Sequence, residues 1–284
     1  MNIGIVLGGG GETGIAWQIG VLAALGKAGL TPATTSVVVG TSAGAVSGAS
    51  YSAGLNLDNL VAKERAGDVV TVPLPAGEGL NAIPGDIIAA LTSTEGTVEE
   101  RGRRIGALAL TATTTIKSED FVAYAATMLP GTDWPALDFR PTSVEAETGR
   151  TVLWTKADGV PLAAAVASSA AVPGLLPAVE INGRHYIDVP RTSFSAALVE
   201  EKGLDAIVYI GMPTPTLSNM VEEEALDALE AGGLRVVRIT GGEGSAEMIS
   251  NALDPTRRPK AVELGLRDGA AAAADVAALG LETA

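Results

Sequence analysis

The hydrophobic pattern at the start of the chain alternates short apolar runs with longer helical stretches. Residues 2–7 (N-I-G-I-V-L) predict a buried strand, and a helix is expected over 13–27, with Gly29 as its stop signal. Residues 36–39 (S-V-V-V) predict a second buried strand, and the small residues of 43–54 predict a second helix. This succession is typical of a parallel sheet that is covered by helices on both faces.

The pattern loosens between about residues 58 and 130. Gly and Pro interrupt it, as in P-L-P-A-G-E-G at 73–79, and helical stretches are expected at 85–91 and 118–129. We interpret 58–130 as a helical insertion that serves as a cap or lid.

Regular alternation returns in the second half of the chain. A hairpin over 142–147 and 151–156, joined through Thr148-Gly149, is predicted. Strands are expected at 179–181 and 184–187, with a turn at Asn182-Gly183 between them, and at 206–210 and 234–239. Helices are expected at 161–170, 193–202 and 219–231, followed by Ala-rich helices. No internal repeat or break in composition divides the chain. We therefore expect one domain over 1–284, of the α/β class, with three α/β/α layers around a mostly parallel sheet.

Composition restricts the partners. The formal net charge of −14 disfavours nucleic acid, because phosphate backbones are bound by neutralising Lys and Arg. The basic runs at 101–104 and 257–260 are short and are expected to be solvent-exposed, as is the E-E-E run at 222–224. The absence of cysteine excludes disulfides, thiolate metal sites and cysteine nucleophiles. Neither a signal peptide nor a membrane span is evident, so we expect a cytoplasmic protein.

The first candidate for chemistry is G-T-S-A-G at 40–44, which matches G-x-S-x-G. The pattern alone is weak in a Gly-rich chain, but here Ser42 follows an apolar strand and opens a small-residue helix, as a nucleophile elbow requires. Gly40 and Gly44 would remove side chains where strand and helix meet, and the helix N-terminus stabilises developing negative charge. The alternative is that Ser42 only caps the helix.

The second candidate is the glycine run G-G-G-G-E-T-G at 8–14. A tight glycine turn before a helix presents backbone amides to an anion, which predicts an oxyanion hole or a phosphate cradle. Residues 9–14 also fit the dinucleotide fingerprint G-x-G-x-x-G, which requires an acidic residue at the end of the next strand. That strand ends in V-G-T-S instead, and this disfavours a nucleotide site.

A serine nucleophile needs a base, and the single histidine is His185, within H-Y-I-D at 185–188. Because strand side chains alternate, Asp188 shares a face with Tyr186 while His185 points to the opposite one. We therefore expect His185 at an edge or surface and Asp188 as the base, since partial burial raises a carboxyl pKa and suits this role. The alternative for Asp188 is a turn or capping residue.

Together these residues resemble the patatin-like phospholipase family. Its pattern is an N-terminal Gly-rich oxyanion loop, a G-x-S-x-G elbow and a distant D-G-[GA] motif that completes a Ser-Asp dyad. The likeness covers about residues 2–55 and 140–212, including the stretch 163–188 before the aspartate. It implies a catalytic pair, Ser42 and Asp188, and an oxyanion hole of backbone amides from Gly9, Gly10, Gly11 and Ala43.

Two segments depart from the family pattern. The family's oxyanion loop carries Arg or Lys before its last glycine, where this chain has Thr13. Val189 and Pro190 replace the glycines that follow the aspartate, and Pro190 restricts Val189 to extended conformations. These departures predict an altered oxyanion loop and a displaced Asp188 with reduced activity.

The resemblance implies a lipid acyl hydrolase of the phospholipase A or carboxylesterase type that works by acyl transfer. No metal or organic cofactor is implied, and the partner is a lipid or acyl-ester substrate that transient membrane contact can supply. Two alternatives remain open. One is a lipid-binding or regulatory protein that kept the fold and lost turnover, and the other is a nucleotide-binding protein.

Overall fold

A mixed sheet organises the chain in the computed structural model, which describes residues 1–71, 82–188, 192–212, 217–250 and 252–281. Its strands are β1 Ile3–Leu7, β2 Val37–Gly40, β3 Asp138–Glu145, β4 Thr151–Leu153, β5 Val179–Ile181, β6 Arg184–Ile187, β7 Ala206–Ile210 and β8 Arg235–Ile239. The strand order is β5-β6-β3-β2-β1-β7-β8, with β4 also paired to β3. The adjacent strands β3, β2, β1, β7 and β8 run parallel to one another. The pairs β3–β4, β3–β6 and β5–β6 are antiparallel. The predicted mostly parallel sheet is confirmed.

Helices cover both faces of this sheet. They are α1 Gly11–Lys27, α2 Ala43–Ser52, α3 Leu57–Ala66, α4 Gly85–Thr92, α5 Val98–Thr111, α6 Ser118–Met128, α7 Leu162–Ser169, α8 Ser195–Lys202, α9 Leu217–Ala231, α10 Ser245–Ser250 and α11 Arg258–Ala277. The alternation of strand side chains explains the layers. Ile3, Ile5 and Leu7 belong to a core shared with α1, α2 and α11, whereas Val6 belongs to a second core that includes Leu198 of α8 and α9 residues. The predicted three-layer α/β/α fold is therefore confirmed.

The region predicted as an insertion divides into two parts. Its first helix, α3, was not predicted and packs against α1 and α11 in the main helical layer. Of the remaining helices, α4 packs on α5, α5 packs on β3 and β6, and α6 packs on α7 and β5. The stretch 73–79 lies outside the described residues. Any cap therefore consists of α4 to α6.

The two predicted turns that contain glycine are confirmed. Asn182 and Gly183 both have positive φ angles, 52° and 74°, between β5 and β6. Gly149, with φ of 77°, lies between β3 and β4. Positive φ at both central positions is the pattern of the hairpin turn whose twist matches the strands, and Asn-Gly is its preferred sequence.

One of the glutamates expected on a solvent-exposed face is buried, so that prediction is wrong for Glu222. Its carboxylate accepts hydrogen bonds from the amides of Phe194 and Ser195, at 2.8 and 3.1 Å, and from the Ser195 hydroxyl. A carboxylate at a helix start satisfies amides that lack partners within the helix. Glu222 of α9 therefore caps α8. The two lie far apart in sequence, so no local pattern predicts this contact.

The register of the parallel strands places the candidate residues together. Leu7 pairs with Gly40, so β1 and β2 end at the same level of the sheet. The glycine run follows β1 and Ser42 follows β2, and both therefore lie at the carboxyl edge, where ligands of open α/β sheets bind.

Candidate active site

Ser42 occupies a sharp bend between β2 and α2. Its backbone has φ of 56° and ψ of −116°, a conformation that non-glycine residues adopt rarely and at an energetic cost. The side chain is half-buried and makes no capping hydrogen bond to α2, a helix that is described throughout. Ser42 therefore does not cap α2 with its side chain, which contradicts the alternative that it is only a capping residue.

Gly40 and Gly44 allow the bend to form, as predicted. A Cβ atom on Gly40 would overlap the carbonyl oxygen of Gly44, and one on Gly44 would overlap the carbonyl oxygen of Leu7. The strand and the helix therefore approach too closely for any side chain at either position. The bend that contains Ser42 therefore lies directly against the end of β1.

The glycine loop lies directly beside the elbow. The Thr41 amide donates to the carbonyl of Leu7 at 3.0 Å, and a Cβ atom on Gly9 would lie 3.5 Å from the Cβ of Ser42. Within the described ranges, no group accepts a hydrogen bond from the amides of Gly9, Gly10, Gly11 or Ala43. These four amides, which were predicted as one set, are therefore available to an anionic group near Ser42.

Gln18 connects the glycine loop to α2, a role that no local sequence pattern indicates. Its Nε2 donates to the carbonyl of Gly8 at 2.7 Å, and its Oε1 accepts from the Ser47 hydroxyl of α2 at 2.6 Å. Gln18 and Ser47 are fully buried. A buried, satisfied pair of this kind holds its partners in one arrangement, so the start of the loop and α2 are fixed to each other.

Asp188 lies at the same edge of the sheet, directly after β6. Val144 of β3 pairs with Ile187, so Asp188 lies at the level of Ser143. Ser143 is two residues beyond Pro141, which pairs with Gly40 of β2. Only β3 separates β6 from β2, which corresponds to two strand spacings, about 10 Å. The Asp188 side chain is buried, with 4% exposure.

A short segment at the end of α7 binds both candidates. The hydroxyl of Ser169 accepts a hydrogen bond from the Ser42 amide at 2.9 Å. Two residues later, the carbonyl of Ala171 accepts one from the Asp188 amide, also at 2.9 Å. The segment 169–171 therefore holds the backbones of Ser42 and Asp188, two residues that are far apart in sequence.

His185 lies away from this group, as predicted. Its Nδ1 is 2.7 Å from a carboxylate oxygen of Glu147, and its side chain is 39% exposed, whereas Tyr186 is buried. Burial opposes the ionisation of Glu147, but hydrogen bonds from His185 outweigh it and hold the pKa of Glu147 below its ordinary value. His185 thus forms a surface pair on the opposite face of β6.

The two departures from the family pattern have different outcomes. Thr13 is buried, its hydroxyl donates to the carbonyl of Met248 at 3.1 Å, and its amide donates to the carbonyl of Ala252 at 3.1 Å. Its side chain therefore anchors α1 to the α10 region. Val189 and Pro190 lie outside the described residues, and the prediction that they displace Asp188 stays a prediction.

Arg258 is buried, so the expectation that the 257–260 run is wholly exposed is wrong. Its Nε and Nη2 donate to the two carboxylate oxygens of Glu64 at 2.9 and 2.6 Å, and its Nη1 binds Glu12, which follows the glycine loop. Burial lowers the pKa of the guanidinium, but the bonds and charges of Glu64 and Glu12 outweigh it and raise that pKa above its ordinary value. The triad joins α1, α3 and α11.

Replacing Arg258 with methionine is expected to reduce the free energy of unfolding by about 3–5 kcal/mol, because two buried carboxylates lose their counter-charge. Urea denaturation of the wild type and the variant measures this difference. The matched control is Arg65→Met, which removes an exposed arginine that binds Glu263, and no measurable loss is expected there. Equal small effects of the two substitutions would contradict a structural role for the buried triad.

Neither a metal cluster nor a membrane span is found in the described part of the chain. No group of three or more acidic or histidine side chains is placed to hold an ion among those residues. None of the helices described has the length and apolar character needed to cross a lipid bilayer.

A strand, a sharp turn at a serine and a helix on a mostly parallel sheet is the local structure that a G-x-S-x-G elbow requires. The family model for patatin-like phospholipase matches residues 5–188, from β1 to the buried aspartate. The chain belongs to this patatin-like phospholipase family.

Two solved structures are similar to the chain at low sequence identity. VipD from Legionella pneumophila is 14% identical with a TM-score of 0.46, and the alignment covers 95% of this chain and 66% of VipD. The type III effector protein ExoU is 18% identical with a TM-score of 0.43, with 96% of this chain and 53% of ExoU covered. The chain thus spans less than two thirds of either protein. No curated protein matches it significantly.

Proposed function

We propose that the protein is a lipid acyl hydrolase that cleaves carboxylic esters through a Ser42–Asp188 dyad. Membership of the patatin-like phospholipase family supports this class of activity. The observation that carries the proposal is the strained, uncapped Ser42 beside the free amides of the glycine loop. Strain at a single backbone position is retained when the position serves function.

In the proposed reaction, the Ser42 hydroxyl attacks the acyl carbonyl while Asp188 accepts its proton. The resulting tetrahedral oxyanion collapses, the alcohol leaves with the proton returned by Asp188, and the acyl group remains on Ser42. A water molecule then attacks the acyl-enzyme while Asp188 accepts its proton, and the fatty acid leaves as Asp188 returns this proton to the Ser42 oxygen. Burial of Asp188 keeps bulk water from competing for this carboxylate.

The proposed oxyanion hole consists of the amides of Gly9, Gly10, Gly11 and Ala43. The Ser42 amide is already bonded to Ser169 and is not a free donor. Preorganised amides without protein acceptors stabilise an oxyanion strongly, because they need no rearrangement as charge develops. Gln18 supports this arrangement by fixing the carbonyl of Gly8.

We assign the cap function to α4, α5 and α6 within one domain. α6 packs on α7, the helix that ends in Ser169, so the insertion contacts the segment that supports the candidate dyad. Ile87 of α4 and Phe121 of α6 are buried in an apolar core that includes α7 residues, and this core fixes the cap to α7. Lipid would reach this site through transient contact with a membrane.

Fatty-acid release from phosphatidylcholine vesicles, and hydrolysis of nitrophenyl esters of graded chain length, test the proposal. We expect both substrates to be cleaved and a fluorophosphonate probe to block both reactions. Folded protein that cleaves neither substrate and takes up no probe would support a binding protein without turnover. A melting temperature that NAD or ATP raises would favour the nucleotide-binding alternative.

A further inference from the structure

Two adjacent serines at the end of α7 have different partners. Ser168 and Ser169 are both fully buried. The Ser168 hydroxyl donates to the carbonyl of Ala165 at 2.8 Å and accepts from the indole of Trp154 at 3.0 Å. The Ser169 hydroxyl accepts from the Ser42 amide at 2.9 Å and lies 3.5 Å from the carbonyl of Gly40. Ser169 therefore contacts the elbow, and Ser168 stays within the core beneath it.

The backbone beyond Ser169 holds the second candidate residue. The carbonyl of Ala171 accepts a hydrogen bond from the Asp188 amide at 2.9 Å. Only one residue separates Ala171 from Ser169, which binds Ser42. Ser42 and Asp188 come from different strands with β3 between them. The segment 169–171 is thus a direct hydrogen-bonded bridge between the backbones of the two residues.

A bridge of this kind matters because Ser42 holds an unfavourable conformation. A residue with φ of 56° and ψ of −116° persists only when its surroundings fix it. The elbow itself supplies the bond from the Ala45 amide to the Ser42 carbonyl, at 2.9 Å, and Ser169 supplies the bond to the Ser42 amide. Without the Ser169 hydroxyl, the Ser42 peptide can rotate away from its position relative to Asp188.

We propose that Ser169 is a positioning residue for acyl transfer, which sets the Ser42 hydroxyl relative to Asp188 through the Ser42 amide. The inference rests on the proposed function of the Ser42–Asp188 dyad. Ser169 acts on the backbone of the nucleophile and contacts no substrate. Its removal therefore impairs the chemical step and leaves substrate binding unchanged, since misplacement of a reacting group by about 1 Å costs about 100-fold in rate.

The test compares Ser169→Ala with Ser168→Ala, a matched substitution of the neighbouring buried hydroxyl. For Ser169→Ala we expect kcat to fall about 10- to 100-fold with KM unchanged, and the fluorophosphonate labelling rate to fall in parallel. For Ser168→Ala we expect a lower melting temperature with kcat unchanged. Ser169→Thr, which keeps the hydroxyl, is expected to recover most of the lost kcat.

A second substitution covers the case in which Ser169→Ala does not fold. Ser169→Cys keeps a side chain of similar size but offers a weak hydrogen-bond acceptor, and the chain has no other cysteine that could form a disulfide with it. We expect the same loss of kcat there. Equal kcat values for Ser169→Ala or Ser169→Cys and Ser168→Ala would overturn the inference, as would a loss confined to KM. If Ser42→Ala also retained activity, the dyad itself would be at fault rather than the bridge.

Discussion

Ser42→Ala is expected to lower kcat for ester hydrolysis by about 10⁴-fold or more, with little change in KM. The substitution removes the atom that would form the acyl-enzyme, while the glycine amides beside it stay in place. The substitution also removes no hydrogen bond that caps α2, because the Ser42 side chain makes none. Initial rates on a nitrophenyl ester, at equal concentrations of folded protein, measure the effect.

The control for this substitution is Ser52→Ala, at the end of the same helix. The Ser52 hydroxyl is buried and, in the described part of the chain, has no hydrogen-bond partner, so its removal costs no bond. We expect this variant to keep its kcat and its melting temperature. A Ser42→Ala enzyme as active as the Ser52→Ala control would show that another group attacks the ester.

Asp188→Asn is expected to lower kcat by about 10²- to 10⁴-fold, because a neutral amide cannot accept the proton of the serine hydroxyl. Asparagine keeps nearly the shape of aspartate, so the hydrogen bond from the residue-188 amide to Ala171 is retained. The loss should therefore appear in the rate of acyl-enzyme formation and in the labelling rate with a fluorophosphonate, with circular dichroism unchanged.

His185→Ala provides the matched control for the base. His185 lies three residues before Asp188 on the same hairpin but pairs with Glu147 on the other face. We expect the variant to keep wild-type kcat, since the imidazole lies on the face opposite the Asp188 side chain. A loss as large as that of Asp188→Asn would instead place the histidine in the reaction and contradict a two-residue mechanism.

The sequence predicted the parts of the fold that depend on local pattern. The apolar runs of β1 and β2, the hairpin turn at Asn182-Gly183 and the elbow glycines at 40 and 44 each have a local physical requirement, and the structure agrees with each. α1 begins at Gly11 rather than Thr13, and its first residue has φ of 60°, a conformation that glycine adopts without steric cost.

The features that the sequence did not predict depend on contacts between distant residues. Arg258 and Glu222 look like surface charges, but each is buried with partners far along the chain, Glu12 and Glu64 for Arg258 and the start of α8 for Glu222. Ser169 and Gln18 are ordinary polar residues in apolar helices, and only the packing of α7 and α1 against the elbow gives them partners. Helix α5 was missed although Thr97 and Glu100 form a capping box at its start, a signal that was present in the sequence.

The most direct measurement of the central claim is peptide mapping by mass spectrometry after reaction with a fluorophosphonate probe. We predict one adduct per chain, on the Ser42 hydroxyl, formed at a rate that Asp188→Asn reduces. Folded wild-type protein that stays unmodified, or an adduct on a different serine with Ser42 untouched, would contradict the account.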